Sequence, residues 1–164
     1  MPGPLARVII SVALSFGVGA TTVLALAVAT LIPALAQTAP IASQDSNFAD
    51  VAVEVTQCKR EEGVLTVRLR FHNTGSKPIV IRLVNKRDYD VYYVTAGNKK
   101  YFVLRDSEKM PLATATDGGQ IEPSVPANGS YTFWAKFPAP PNDVKKISLF
   151  TPVAAPFDNL PITD

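Results

Sequence analysis

Apolar and polar residues alternate strictly from Val64 to His72, with Leu65, Val67, Leu69 and Phe71 on one face and Thr66, Arg68, Arg70 and His72 on the other. Side chains on a strand point to opposite sides with period two, so this run predicts a strand with one dry and one wet face. Val51, Val53 and Val55 alternate with Ala52, Glu54 and Thr56 just upstream, and the charged stretch Lys59 to Gly63 predicts the turn of a hairpin between the two runs. Asn73 to Pro78 is rich in turn residues, and a further strand is expected to start at Ile79.

The same alternation returns downstream. Tyr89 to Thr95, the pair Gly97-Asn98 and Lys100 to Arg105 predict a second hairpin of aromatic and β-branched residues. Residues 107–128 hold Pro111, Gly118, Gly119, Pro123 and Pro126, which predicts loop with at most short edge pairing. Asn128-Gly129 then turns into a strand over Ser130 to Phe137, and Pro138 to Pro141 separates that strand from another at Lys145 to Thr151. No segment beyond residue 36 sustains a 3.6-residue apolar period. The pattern predicts an all-β domain of seven or eight antiparallel strands, an immunoglobulin-like two-sheet sandwich, with a small closed barrel as the alternative.

The N-terminal part breaks this pattern. Val8 to Ile32 is apolar and uncharged, about 25 residues, enough to cross a hydrocarbon layer of about 30 Å. Ala34 and Ala36 supply the small-x-small sequence that precedes a signal-peptidase cut, which predicts a signal peptide over residues 1–36 and a mature chain starting at Gln37. The length of residues 8–32 keeps an uncleaved inner-membrane anchor as the alternative. Arg7 stays on the cytoplasmic side in both readings, so the domain is expected outside the cytoplasm, periplasmic or secreted, and to meet the membrane only through the N-terminal segment. Residues 37–48 are mostly small and polar and predict a flexible tether, with the β domain occupying residues 49–164.

Charge and composition remove function classes. Arg7 is the one charged residue among the first 44, and the formal net charge of the whole chain is +2, so the exported part is nearly neutral and nucleic-acid binding is not expected. One histidine (His72) and one cysteine (Cys58) do not make a His/Cys metal centre or an intrachain disulfide, and no cofactor or metal is expected. Cys58 reads as a buried thiol, with intermolecular pairing as the alternative. No nucleophile and base stand at a diagnostic spacing, so an enzyme is not expected.

Candidate interaction residues remain. Arg105-Asp106-Ser107-Glu108 reads either as a recognition patch on an end loop or as a turn whose Asp accepts backbone N–H groups. Asp88 and Asp90 lack the glycine and terminal Glu of a calcium loop. Trp134, with Lys136, falls on the opposite strand face from Tyr131 and Phe133. Beside Tyr92 or Tyr93 it would form an aromatic binding patch; under Pro138 to Pro141 it would be structural. Asn128-Gly129-Ser130 matches a glycosylation sequon, which a tight turn explains equally well.

Three segments carry a resemblance: Lys100-Tyr-Phe-Val-Leu-Arg-Asp106, Val125 to Pro141 with Phe133-Trp-Ala-Lys-Phe-Pro-Ala-Pro-Pro141 as its most specific part, and Ala155-Pro-Phe-Asp-Asn-Leu-Pro-Ile162. Over residues 49–162 the chain resembles a family of bacterial exported proteins of uncharacterised function with an immunoglobulin-like (telokin-like) β-sandwich, some of which carry it beside an OmpA-like domain. The resemblance implies fold and location and supplies no catalytic residues. The expected role is a non-enzymatic module that contacts a protein or another envelope component; the alternative is a membrane-anchored accessory subunit of a larger complex.

Overall fold

The structure, a computed structural model, describes residues 39–164. The signal peptide or anchor expected over residues 1–36 lies outside the described residues. Among those described, no helix occurs and none is therefore long and apolar enough to cross a membrane. The strands are β1 (Ala42–Asp45), β2 (Val51–Glu61), β3 (Val64–Asn73), β4 (Ile79–Val80), β5 (Tyr93–Ala96), β6 (Lys99–Phe102), β7 (Ser124–Val125), β8 (Ser130–Pro138), β9 (Lys146–Thr151) and β10 (Ala154–Pro161). All pairings between them are antiparallel. Two four-stranded sheets, β1-β2-β3-β8 and β10-β9-β5-β6, are accompanied by the small pair β4-β7.

The central ladder follows the alternation. Leu65, Val67, Leu69 and Phe71 on β3 are buried and face Phe133, Ala135 and Phe137 of β8, while Arg68 is exposed. On β2 the buried set is Val51, Val53 and Val55, then Cys58 and Arg60. The change from odd to even positions has a local cause. Val55 pairs with Leu69 and Gln57 with Arg68, so β2 advances two residues where β3 advances one. Such a bulge leaves the partner's faces unchanged and reverses the sequence parity of the bulged strand. The charged turn expected over Lys59 to Gly63 is consequently shorter: β2 continues to Glu61, and the hairpin closes through Glu62 and Gly63, at φ +49° and +79°. Positive φ at both central residues is the I′ arrangement that matches the twist of paired strands.

Three further expectations are corrected. The tether over residues 37–48 is not wholly flexible, because Ala42–Asp45 forms β1 and pairs with Ala52 to Val55, so the β domain starts before Ala49. Small polar residues suit an exposed edge strand as well as a linker, and the free edge of β2 selects the strand. The strands also exceed seven or eight, through β1 and the two-residue β4 and β7. Finally, the strand expected from Tyr89 begins only at Tyr93, since Tyr92 closes a turn by donating its N–H to the Tyr89 carbonyl at 3.0 Å.

Strand β10 departs furthest from strand-like sequence. It contains Pro156 and Pro161, and Asn159 sits at φ +57°, with two shifts of register against β9. As the outer strand of its sheet it needs only one row of hydrogen bonds, so proline is tolerated there. The irregular register turns Phe157 and Leu160, three residues apart, both into the interior.

The sheets share one core. The buried cluster joins Val53, Leu69 and Phe133 of one sheet to Val94, Leu149 and Phe157 of the other. Tyr92 stacks on Phe133 at 4.6 Å between ring centroids and donates its hydroxyl to the Leu83 carbonyl at 2.7 Å. Hydrogen bonds also join the sheet margins. Asn47 donates its N–H to Val153, and Leu104, just beyond β6, donates to Lys136 of β8 at 2.8 Å. Past the bulge, Thr163 takes the place of β1 beside β2, accepting from the Arg60 N–H and donating to the Cys58 carbonyl.

Candidate functional site

The outer surface of the sheet β10-β9-β5-β6 carries a row of aromatic rings. Period two fixes it: Leu149, Val94 and Tyr101 point inward, so their chain neighbours Phe150, Tyr93 and Phe102 point outward. Register aligns them, because Tyr93 is paired with Phe150 on β9 and with Phe102 on β6. Tyr93 and Phe150 stack at 4.6 Å with planes 11° apart, and Tyr93 and Phe102 lie 6.0 Å apart with planes tilted by 53°. The Lys100 ammonium sits 4.0 Å from the centre of the Tyr93 ring and 6.0 Å from that of Phe102.

Each aromatic pair of this kind stabilises by about 0.5–1.5 kcal/mol, and an exposed cation–π contact by about 0.5–1 kcal/mol. The row is therefore held in a defined shape. Its outer end is not covered: Phe102 keeps 46% of its surface exposed. A rigid aromatic surface with an ammonium at its margin can take up apolar groups and pair with a carboxylate, the composition of anchor residues in protein interfaces.

The residues singled out from sequence are not brought together. Tyr92 is in the core, on the same parity as buried Val94, and is withdrawn as an interaction residue; the turn at Tyr89 to Tyr92 brings Tyr89 into the core as well, out of that alternation. Tyr93 lies on the outer aromatic row. Trp134 and Lys136 lie on β8, in the other sheet, half-buried and paired across the ladder with Arg68 and Thr66. No Trp134–Tyr93 patch forms. The outer margin of β8 is occupied instead, since Thr114 donates its N–H to the Trp134 carbonyl and its hydroxyl accepts from the Trp134 N–H, both at 2.9 Å. Pro140 and Pro141 direct their carbonyls toward Arg60.

Arg105 and Asp106 adopt the turn arrangement. The Asp106 carboxylate accepts from the backbone N–H groups of Glu108 at 2.9 Å and Met110 at 2.8 Å, while Arg105 pairs with Asp90 at 3.1 Å. Asp88 accepts from the Asp90 N–H. Among the described residues no three of His, Cys, Asp and Glu gather as metal ligands. His72 contacts the Gly129 carbonyl and the Ser130 hydroxyl through Nδ1. Asn128, at φ +56°, forms the expected turn.

Two polar clusters escaped the sequence reading. Arg60, buried by the β2 bulge, donates through Nη1 to the carbonyls of Pro140, Pro141 and Val144 at 2.8–3.3 Å and pairs with Asp164 at 2.7 Å. The hydrogen bond from Arg60, helped by its charge and that of Lys145, holds the Asp164 carboxyl below its usual range. Asn73 is buried and donates to the carbonyls of Lys77, Val125 and Pro126 while accepting from the Gly75 N–H. Nothing in the local sequence marks Asn73 as more than a turn residue. The loss of alternation after Val55 was the one signal for Arg60. Cys58 is buried beside it in sequence, and burial pushes its thiol up to about 11, which keeps it protonated and unreactive near neutrality.

Comparison with protein-family models, with curated proteins and with solved structures found no match.

Proposed function

We propose that this chain is a non-enzymatic, exported binding module of the cell envelope, an immunoglobulin-like β-sandwich that meets a protein partner through the Tyr93–Phe102–Phe150 face. The aromatic row carries this reading: three large rings are aligned across three strands on the side of the sheet away from the core, with Lys100 over them. Two four-stranded antiparallel sheets around a single core support the sandwich. The uncharged run to Ile32, followed by Ala34 and Ala36, supports export.

A photo-crosslinking amino acid placed at Phe102, and separately at Thr132 on the outer face of β8, tests the contact in intact cells. The expected result is one adduct of defined mass from position 102, absent from 132 and lost when Tyr93 and Phe150 are both changed to Ser. Equal labelling at the two positions, or none at 102, counts against the face. Mass spectrometry of the mature protein tests export: a start at Gln37 marks release by signal peptidase, whereas Met1 or Pro2 marks the anchored accessory subunit that the length of the apolar run favours.

A further inference from the structure

A second feature lies away from the aromatic row, where the turn after Arg105 meets the segment Arg87 to Tyr89 and residues 113–116. A groove of about 350 Å³ opens there, lined by Arg87, Arg105 and Lys109 together with Tyr89, Met110 and Ala113. Tyr89 and Ala113 are buried and form apolar floor, while Met110 keeps 51% of its surface exposed at the rim. Three cations and no carboxylate line the groove.

Three of the nearby acids are committed elsewhere, and Glu108 is exposed and outside the groove's lining. Asp106 turns to the backbone N–H groups of Glu108 and Met110, Asp88 accepts from the Asp90 N–H, and Asp90 neutralises one side of Arg105. Arg87 and Lys109 form no ion pair among the described residues. Their backbone is also unusual. Arg87 and Lys109 sit at φ +57° and +63°, a left-handed conformation that Asn or Gly adopts more easily than a long side chain. Turn geometry alone does not call for a cation at either position.

We propose that this groove binds a small organic anion with an apolar body, its carboxylate or sulfonate held by Arg87 and Lys109 and its body laid against Tyr89, Met110 and Ala113. The volume lies at the lower end of the range for small-molecule sites, and an apolar floor with a few convergent charged groups is their usual composition. Charge-assisted hydrogen bonds to an anion are the stronger class of hydrogen bond, so the head group sets selectivity. The inference does not depend on the aromatic face.

The test uses three probes with one ring system, 2-naphthoate, 2-naphthol and 2-naphthylmethylammonium, titrated calorimetrically at pH 7 into the protein as purified from an exporting host. Saturable one-site binding of naphthoate is expected, at least about tenfold tighter than naphthol, with the ammonium weakest. The double variant Arg87→Gln, Lys109→Gln should lose about tenfold or more for naphthoate and little for naphthol; Lys109→Arg should retain naphthoate binding. Naphthol binding as tightly as naphthoate, absence of saturation, or a double variant that binds naphthoate like the parent would each overturn the proposal. The probe comparison on the unaltered protein stands even where a variant unfolds.

Discussion

Arg60 is the polar residue whose removal should be felt most. Its guanidinium satisfies the carbonyls of Pro140, Pro141 and Val144 from a buried position, and a leucine of similar bulk would leave them without donors. Buried unpaired acceptors cost about 1–3 kcal/mol each, partly recovered by water at the margin, so Arg60→Leu should lower unfolding stability by about 2–4 kcal/mol in urea titrations. Asp164→Asn, touching only the exposed partner, should abolish any contribution of that pair to acid sensitivity. With the carboxyl lowered in the folded protein, its contribution is present above the unfolded carboxyl value and fades as pH falls through the folded one. Cys58 acts at the other end of the pH scale. Its thiol is protonated in both states well below pH 9, but between its ordinary 9.0 and about 11 mainly the unfolded chain releases the proton. Stability therefore falls across that interval, by about 2–3 kcal/mol for the two-unit shift. The difference in unfolding free energy between the parent and Cys58→Ala should shrink by that amount from pH 8 to pH 11. Native protein should also resist thiol reagents at neutral pH that label it rapidly in urea.

At the scale of elements, the β2-β3 hairpin shows how a local rule governs a long-range contact. Glu62 occupies a positive-φ position that Asn adopts more easily, and its side chain is exposed, so Glu62→Asn should raise stability by about 0.5–1 kcal/mol, read as a higher thermal midpoint. The bulge at Thr56 and Gln57 works differently. Deleting Thr56 would restore an unbulged ladder while leaving Gln57 opposite Arg68 and Cys58 opposite Val67, so the shortened protein should fold with its thiol still protected. Inserting a residue after Gln57 should instead turn Cys58 and Arg60 outward and prevent folding; thiol labelling separates the two outcomes. The hairpin of β5 and β6 was legible from Gly97-Asn98, with Gly97 at φ +57°. Strand β10 was not, because its prolines are acceptable only on an outer strand, a status that sequence does not disclose.

For the whole molecule, one core predicts one unfolding event. Phe133 touches both halves of that core, stacking on Tyr92 and facing Leu69 across the ladder, so Phe133→Ala should cost about 3–5 kcal/mol, and tyrosine fluorescence and far-ultraviolet dichroism should still report a single coincident transition. Separate transitions would mean that the sheets fold independently despite Tyr92. The amino-acid sequence determined the all-β class, the buried face of β3 and β8, and the turns at Gly63, Gly97 and Asn128, because period two and positive-φ chemistry are local and act through near neighbours. Tertiary structure alone decided that Tyr93 lines up with Phe102 and Phe150, that Arg60 becomes an interior donor, and that Arg87 and Lys109 line one groove. Those outcomes depend on register, on a single extra residue in one strand, and on which strands lie outermost. All three are settled by pairing between segments far apart in the chain, where side-chain periodicity carries no information.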